Sequence, residues 1–225
     1  MEKQQKIING RTIWVFSSSC STKCPIIYTH LSGEDAEVIY SELSDQYFIL
    51  VAIEGVDWNL ELTPWYSPKV FRGSDDFGGG ADNYLQELIE DIIPGVENTF
   101  TLPHAPSYRG LIGYSLGGLF AVYSGYSTDC FHRLASVSGS LWYDGFIDFM
   151  KQNTPVLMPE RAYFSLGDEE KFSKNPRLAK VEHCTLEAEQ LWNKLGVNTI
   201  LEPNHGSHFS DVTERMVKAL RWILH

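Results

Sequence analysis

One serine of the chain lies in a setting that could make it a nucleophile. Ser115 is the centre of the pentapeptide Gly113-Tyr-Ser-Leu-Gly117, which has the pattern Gly-x-Ser-x-Gly. A serine hydroxyl attacks a carbonyl carbon only when a base removes its proton, so the side chain must project to a point that other groups can reach. A sharp turn from a strand into a helix projects a serine in this way, and the two glycines would let strand and helix approach closely. The pattern therefore predicts a nucleophile at Ser115.

The base for this serine is expected in a loop near the end of the chain. Five histidines follow Ser115, and two of them, His205 and His208, lie in the segment 204–209 between the last predicted strand and the last predicted helix. After a Gly-x-Ser-x-Gly turn, the acid and then the histidine typically follow along the chain. A Gly-Ser pair allows the loop to turn His208 back toward the edge of the sheet. We therefore choose His208 as the base and keep His205 as the alternative.

The acid that orients the histidine is expected in the segment Gly167-Asp-Glu-Glu170, directly after a predicted strand. A carboxylate at this place would hold the correct tautomer of His208 and stabilise the imidazolium. The three consecutive residues Asp168, Glu169 and Glu170 are all candidates for this acid. Hydrolases commonly place the acid three residues after the glycine, so we choose Glu170, with Asp168 as the next candidate.

Two backbone N–H groups are expected to bind the oxyanion of the tetrahedral intermediate. One belongs to Leu116, the residue after the nucleophile. The second is expected from the loop after an earlier strand, where Ser32, Gly33 and Glu34 lie. We choose the N–H of Glu34, whose carboxylate must then point away, because a nearby negative charge would oppose the oxyanion.

Alternating strands and helices must bring these groups together. Continuous apolar runs are typical of parallel strands that are covered on both faces. The predicted strands are 7–8 and 12–16, joined by a turn at Asn9-Gly10, and then 25–31, 47–53, 108–113, 134–138, 162–166 and 197–201. The predicted helices are 34–43, 83–93, the segment after Ser115, 143–151, 177–195 and 211–224. This alternation predicts one α/β domain, residues 1–225, with a mainly parallel, doubly wound sheet flanked by helices.

Three residues are expected to mark helix ends. Asp82 is a plausible cap for the helix 83–93, and Pro94 is expected to end it, because proline cannot donate a backbone hydrogen bond. Gly196 is expected to end the helix 177–195, since glycine readily takes the left-handed conformation that closes many helices.

A long segment, 54–80, is predicted to be irregular and is rich in aromatic side chains. Long loops inside a compact domain are commonly functional. We therefore expect this aromatic loop, which carries Trp58, Trp65, Tyr66, Phe71 and Phe77, to bind substrate together with Trp142. Within the loop we choose Trp65 and Arg72 as the binding residues. The chain between Trp142 and Pro159 is too short for a separate lid domain, so an open cleft is expected.

Composition excludes several classes of partner. The chain has 225 residues, 43% of them hydrophobic, and a formal net charge of −11 without a basic block. This charge argues against nucleic acid and anionic membrane surfaces. We find no signal segment and no apolar run of bilayer length, so a cytoplasmic protein is expected.

The cysteines do not indicate a metal site. Cys20, Cys24, Cys130 and Cys184 lack the spacing of a zinc site, and free thiols in a reducing compartment are expected. We expect neither a metal nor another cofactor.

Several blocks of the chain resemble, in order, one family of enzymes. The blocks are Ile26-Ile-Tyr28, Leu31-Ser-Gly33, Glu61-Leu-Thr-Pro-Trp65, 84–96, 109–119, Ser138-Gly-Ser-Leu-Trp142, 164–170 and Gly206-Ser-His208. They resemble the putative esterase family of α/β-hydrolases, which includes S-formylglutathione hydrolases, feruloyl and acetyl-xylan esterases, mycolyltransferases and siderophore trilactone esterases. The resemblance covers most of the chain and implies the α/β-hydrolase fold, without a large lid domain.

The resemblance also suggests a substrate, with some departures. The blocks around Trp65 and Trp142 most resemble the bacterial branch related to iron-siderophore esterases. The family often has Gly-Gly-His-His where this chain has Gly206-Ser-His-Phe209, and often has an aspartate where Glu170 stands. The net charge works against a trianionic iron complex unless a local basic patch attracts it. The candidates for such a patch are Lys69, Arg72, Lys171 and Lys174.

The sequence as a whole predicts a cofactor-free serine esterase. Ser115 would attack the ester carbonyl, His208 would accept its proton, and water would then clear the acyl-enzyme. The implied substrate is a small molecule, either a siderophore-type trilactone or an aryl or carbohydrate ester. Two alternatives remain: an acyltransferase that uses the same triad, and a non-catalytic binding protein on a hydrolase fold. The oligomeric state is not predicted.

Overall fold

An eight-stranded sheet lies at the centre of the computed structural model, which describes residues 1–18, 24–100 and 108–225. The strands of the described residues are β1 (Glu2–Ile8), β2 (Arg11–Ser17), β3 (Ile26–Thr29), β4 (Ile49–Glu54), β5 (Tyr66–Ser67), β6 (Phe77–Gly78), β7 (Arg109–Tyr114), β8 (Arg133–Val137), β9 (Arg161–Gly167) and β10 (Asn198–Asn204). The sheet order is β1-β2-β4-β3-β7-β8-β9-β10, and β5 and β6 form a separate ribbon. All neighbours from β4 to β10 are parallel, whereas β2 is antiparallel to β1 and β4. The predicted mainly parallel sheet is confirmed.

Helices cover both faces of this sheet. They are α1 (Gly33–Ser41), α2 (Trp58–Glu61), α3 (Ala81–Glu87), α4 (Ile93–Thr99), α5 (Leu116–Ser127), α6 (Phe146–Gln152), α7 (Val181–Lys194) and α8 (Val212–Leu224). On one face, α1 and α8 pack against Ile112 and Ala135. On the other, α3 to α7 pack around Leu111 and Leu134. Successive residues of β7 and β8 thus point into two buried layers, which explains why these strands are apolar throughout and confirms the doubly wound architecture.

Two turns follow the sequence prediction closely. Asn9 and Gly10, between β1 and β2, have φ angles of 50° and 77°. A two-residue hairpin turn with positive φ at both central residues matches the twist of its strands, and Asn-Gly is the pair that most readily adopts it. Gly196 follows α7 with a φ of 89°, as a left-handed helix end requires. Both predictions are confirmed.

The helix predicted over 83–93 is wrong at both ends. It begins with α3 at Ala81, after Gly80, and the carboxylate of Asp82 accepts a hydrogen bond from the Tyr123 hydroxyl instead of capping the helix. Pro94 does not end it either. A π-helical turn, Leu88–Ile92, precedes α4, and this wider turn accommodates a proline that cannot donate a hydrogen bond.

The segment 54–80 is more regular than predicted. It contains the short helix α2, which Asp57 caps by accepting hydrogen bonds from the N–H groups of Asn59 and Leu60, both at 3.1 Å. It also contains both strands of the β5–β6 ribbon. Short elements of this kind depend on caps and cross-strand contacts rather than on periodicity, so a search for apolar patterns does not find them.

Two further findings bear on the composition. Cys130 and Cys184 are free, but Cys24 is disulfide-bonded, so the expectation of free thiols is wrong for Cys24. Cys20 lies outside the described residues. No helix in the described part of the chain is both long enough and apolar enough to cross a membrane.

Candidate active site

Ser115 lies at the tip of a strained turn between β7 and α5. Its φ is 56° and its ψ −120°, a conformation that residues with a side chain rarely adopt. Its backbone N–H donates to the carbonyl of Val137 at 3.1 Å, and its own carbonyl accepts from the N–H of Ser140 at 2.9 Å. These bonds to the end of β8 and to the segment that follows it hold the turn in place. The strain is therefore of the kind that a nucleophile elbow stores to expose its serine.

The glycines around the turn have different roles. A Cβ on Gly113 would lie 2.1 Å from the carbonyl of Gly117, so strand and helix could not approach as they do. A Cβ on Gly117 itself would meet nothing closer than 3.9 Å. The crowded second position is Gly118, where a Cβ would lie 2.9 Å from Cα of Gly139. Close packing thus depends on Gly113 and Gly118, and the role predicted for Gly117 is wrong.

The structure brings Ser115, His208 and Glu170 together in one line. Nε2 of His208 lies 3.1 Å from Oγ of Ser115. Nδ1 of the same ring lies 2.7 Å from Oε2 of Glu170. When Nδ1 carries the proton and donates to Glu170, Nε2 is left to accept from the serine hydroxyl. This geometry suits general-base activation of a serine.

Glu170 is held ionised by its surroundings. Its side chain is only 4% exposed, and Oε1 accepts hydrogen bonds from the N–H of Gly167 at 2.8 Å and from Nη1 of Arg215 at 3.2 Å. Burial alone would raise the pKa of this carboxyl group, but the hydrogen bonds from His208 and Gly167 outweigh burial and leave the pKa below its usual value. Glu170 can therefore stabilise a positive charge on His208 at neutral pH.

The alternative residues form a pair of their own. Asp168 accepts from the N–H of Gly206 at 2.8 Å and faces Nδ1 of His205 at 3.1 Å. Both side chains are largely exposed, and His205 does not line the cleft that contains Ser115. The hydrogen bond that His205 donates to Asp168 raises the pKa of His205. The two residues tie the loop after β9 to the loop after β10.

The two predicted oxyanion donors lie in different places. Leu116 lines the cleft and is the first residue of α5, where a backbone N–H has no intrahelical partner. Glu34 lies exposed in the first turn of α1 and does not line the cleft. Ser32 caps α1 by accepting from the N–H of Asp35 at 3.1 Å, and this helix packs with α8 in the same buried layer. The loop after β4 contributes Trp58 and Asn59 to the lining of the cleft.

A cleft of about 670 Å³ opens over Ser115. Its aromatic lining residues are Trp58, Phe71, Phe77, Trp142, Phe172 and Phe209, with Tyr114 beneath His208. Phe71, Phe172 and Phe209 are 56%, 74% and 77% exposed, so they form an open aromatic rim. Trp142 lies in the cleft, as expected for a substrate-binding residue.

The other two predicted binding residues are not at the cleft. The indole of Trp65 donates to the carbonyl of Asp144 at 2.8 Å and packs against Tyr143, Phe146 and Phe149, so it is a structural residue. Arg72 is exposed and does not line the cleft. A one-dimensional pattern cannot show which face of a loop a side chain occupies.

The charges at the cleft are negative. Among the described residues that line it, Glu169 and Glu170 are the charged acidic groups, and none is a lysine or arginine. Nζ of Lys69 donates to the carbonyl of Ser74, and Nζ of Lys171 pairs with Glu182 at 2.7 Å. None of the four candidates for a basic patch, Lys69, Arg72, Lys171 and Lys174, lines the cleft. No group of three or more His, Cys, Asp or Glu side chains within the described ranges could hold a metal ion.

Sequence reasoning missed several residues that complete the site. Phe172 and Phe209 follow the acid and the histidine closely along the chain, and this proximity was an available signal. Asn59 follows the Asp57 cap, which marks a short helix at a strand end. Trp58 belongs to the aromatic loop that was expected to bind substrate, but it was not among the residues chosen from it. Arg215 gave no such signal, because a single arginine on an amphipathic helix usually faces water.

Comparison with known proteins adds three kinds of similarity. The model of a family described as putative esterase matches residues 21–204. An uncharacterized protein of Bacillus subtilis, YbbA, is 26% identical over 181 residues, covering 78% of this chain and 72% of that protein. Two solved structures share the fold. An IroE-like serine hydrolase from Shewanella oneidensis has a TM-score of 0.81 at 16% identity, covering 98% of this chain and 79% of that one. The siderophore hydrolase EstA from Aspergillus nidulans has a TM-score of 0.73 at 16% identity, covering 99% and 93%.

Proposed function

Because this chain belongs to the putative esterase family, we propose that it is a serine hydrolase of carboxylic esters. The observation that carries the proposal is the line of hydrogen-bonding groups from Ser115 Oγ through His208 to Glu170, at 3.1 and 2.7 Å. The strained backbone at Ser115 supports it, because such strain persists only where the surrounding structure maintains it.

The proposed reaction proceeds in two halves. In the first, Nε2 of His208 takes the proton of Ser115 as Oγ attacks the ester carbonyl, and the Leu116 N–H binds the developing oxyanion. His208 then gives that proton to the leaving alkoxide, and an acyl-enzyme remains on Ser115. In the second, His208 takes a proton from water, the hydroxide attacks the acyl carbon, and the proton returns to Ser115 as the carboxylic acid leaves.

The cleft favours an uncharged ester with an aromatic or apolar part. Aromatic rings line and surround it, while its described lining residues include no cation. An anion would enter against Glu169 and against the net charge of −11. Aromatic side chains bind flat apolar groups by stacking and by exclusion of water. An aryl ester therefore fits better than a highly anionic one.

A siderophore-type ester is the second candidate. The similarity to a siderophore hydrolase, EstA, over 99% of this chain favours it. A neutral siderophore ester without its iron would still match the aromatic cleft. A ferric triscatecholate complex, with several negative charges, would not.

The test is a panel of esters with a matched inactive variant. We would measure kcat/KM for p-nitrophenyl butyrate, methyl ferulate, an acetylated xylan fragment and an iron-free trilactone siderophore. The proposal predicts turnover of at least one of them. Ser115→Ala should lower that rate by at least about 10³-fold, as loss of a triad member does. Its thermal unfolding midpoint should stay near that of the wild type. An equally active Ser115→Ala variant would exclude the proposed nucleophile.

A further inference from the structure

Arg215 is a buried cation beside the proposed triad. It lies on α8, and its side chain is only 1% exposed. An arginine is rarely buried to this extent unless anions and polar oxygens surround it, because removing the charge from water is costly. The contacts of this residue therefore indicate what its burial achieves.

The guanidinium of Arg215 joins two parts of the triad. Nη1 donates to Oε1 of Glu170 at 3.2 Å and to Oγ of Ser138 at 2.9 Å. Nη2 donates to the carbonyls of His205 at 2.9 Å and Ser207 at 3.0 Å, on either side of Gly206 in the loop that carries His208. One planar group thus holds the acid and the backbone of the histidine loop in fixed relation.

The surroundings leave little room for another arrangement. A Cβ on Gly167 would lie 2.3 Å from the carbonyl of Gly206 and 2.8 Å from Nη2 of Arg215. The end of β9, the histidine loop and the guanidinium are therefore in direct contact. Lysine could keep the charge here, but it could not reach all four acceptor oxygens with one planar fork.

We propose that Arg215 is a positioning residue that fastens the Glu170 carboxylate to the loop of His208 and balances the negative charge of that carboxylate. The inference rests on the function proposed above. Arg215 does not line the cleft, so it acts through Glu170 and His208 and not on the substrate.

The positive charge of Arg215 next to Glu170 should affect the pH dependence of the reaction. The titratable and charged groups on the elements around the Glu170–His208 pair are Tyr114 on β7, Asp168, Glu169 and His205 on the flanking loops, and Arg215 on α8. Of these, Tyr114 contacts the His208 ring and Arg215 contacts Glu170. Arg215 is the cation in contact with Glu170. Without Arg215, the negative charge of Glu170 is not balanced, and the Glu170–His208 pair binds a proton more readily. The unprotonated His208 that acts as the base is then lost at a higher pH.

The experiment compares Arg215→Met and Arg215→Lys with Arg109→Met. Arg109 also donates to a buried carboxylate, with two hydrogen bonds to Glu97 at 2.7 and 2.8 Å, and it lies outside the catalytic cleft. We would measure kcat, KM and the pH dependence of kcat/KM for an ester that the wild type hydrolyses. Arg215→Met should lower kcat by about 10- to 100-fold, as small misplacement of catalytic groups does. KM should stay within about twofold, and the acidic limb of kcat/KM should move to higher pH.

The other variants separate positioning from stability. Arg215→Lys should lower kcat without moving the acidic limb of the kcat/KM profile. The lysine keeps the positive charge but loses the planar guanidinium that reaches the four acceptor oxygens. Arg109→Met should lower the unfolding midpoint and leave kcat and the limb unchanged. The inference is overturned if Arg215→Lys matches the wild type, or if Arg215→Met affects only stability, as Arg109→Met does. If Arg215→Met does not fold, Arg215→Lys still decides. Wild-type hydrolysis that does not depend on Ser115 would instead contradict the proposed function.

Discussion

Among single residues, the two nearby carboxylates Asp168 and Glu170 have different roles because the backbone directs their side chains to different places. Asp168 lies at the surface and pairs with His205, whereas Glu170 begins a 3-10 turn and points inward to His208. The choice of Glu170 came from the spacing that is common in hydrolases, in which the acid stands three residues after a glycine. The residues of this segment alone did not distinguish it from Asp168 and Glu169. The orientation depends on the hydrogen bonds that Gly167 and Arg215 make to the carboxylate, and no local pattern contains these contacts.

His30 gives a prediction for acid stability. The ring is buried, Nε2 lies 3.0 Å from the Tyr84 hydroxyl, and burial, followed by the charge of Arg11, lowers its pKa to about 3. The unfolded chain takes up a proton here below about pH 6.5, and the folded protein does not. Stability from this residue is therefore fully present above about pH 6.5 and is lost as the pH falls toward 3.

The measurement is the free energy of unfolding by urea at pH 7 and at pH 5. The wild type should lose about 2 kcal/mol through this residue over that interval, at about 1.4 kcal/mol per pH unit below 6.5. His30→Gln should be less stable at pH 7 but should show a smaller loss between the two pH values. An equal loss in both proteins would mean that His30 becomes protonated in the folded state.

At the scale of elements, the turn around Ser115 predicts opposite outcomes for two glycines four residues apart. In Gly113→Ala the new methyl group would collide with the Gly117 carbonyl at 2.1 Å. Since the methyl group would meet packed backbone and not a flexible side chain, the strand–helix contact must open, and we expect a loss of about 3 kcal/mol. Gly117→Ala meets only ordinary contacts and should change stability by less than about 1 kcal/mol, because alanine favours helix.

Thermal unfolding, monitored by circular dichroism, would measure the stability of both variants. The rate of ester hydrolysis would report whether the turn around Ser115 is intact. Gly113→Ala should lose activity together with stability, and Gly117→Ala should retain its fold. A stable, active Gly113→Ala protein would show that strand and helix are not in close contact at the turn.

The elements that sequence predicted well are those with a strong local cause. Continuous apolar runs predicted the strands β3, β4, β7, β8 and β9, and Asn9-Gly10 predicted the hairpin. The elements it missed depend on partners elsewhere. Asp82 bonds to Tyr123 across helices, and the π-helical turn before Pro94 keeps the helix continuous. Glu34 was placed at the cleft because the Ser32 cap of α1 was not recognised.

At the scale of the whole molecule, the cleft is built from segments that are far apart in the chain. Its lining comes from the loop after β4, the turn after β7, the segment after β8 and the loops after β9 and β10. The parallel order of these strands explains why their ends meet at one edge. Sequence predicted this edge, but not which side chains face inward, since that depends on how the loops pack against each other.

The charge of the whole molecule gives a prediction for salt. With a net charge of −11 and no described cation lining the cleft, an anionic ester should be repelled. Raising salt from about 0.01 M to 0.1 M shortens the screening length from about 30 to 10 Å and should weaken this repulsion. The kcat/KM for p-nitrophenyl hemisuccinate should therefore rise with salt, while that for p-nitrophenyl butyrate should barely change. A fall for the anionic ester would indicate a basic patch near the cleft.

Covalent labelling with an organophosphate would test whether Ser115 is a nucleophile that His208 activates. We would treat the protein with diisopropyl fluorophosphate, follow the adduct by intact mass spectrometry, and locate it by peptide mapping. We expect one adduct per chain on Ser115 and none in Ser115→Ala. Labelling should be at least about 10²-fold slower in His208→Ala and near the wild-type rate in His205→Ala. An adduct on another residue, or the reverse order of the two histidine variants, would contradict the proposed roles of Ser115 and His208.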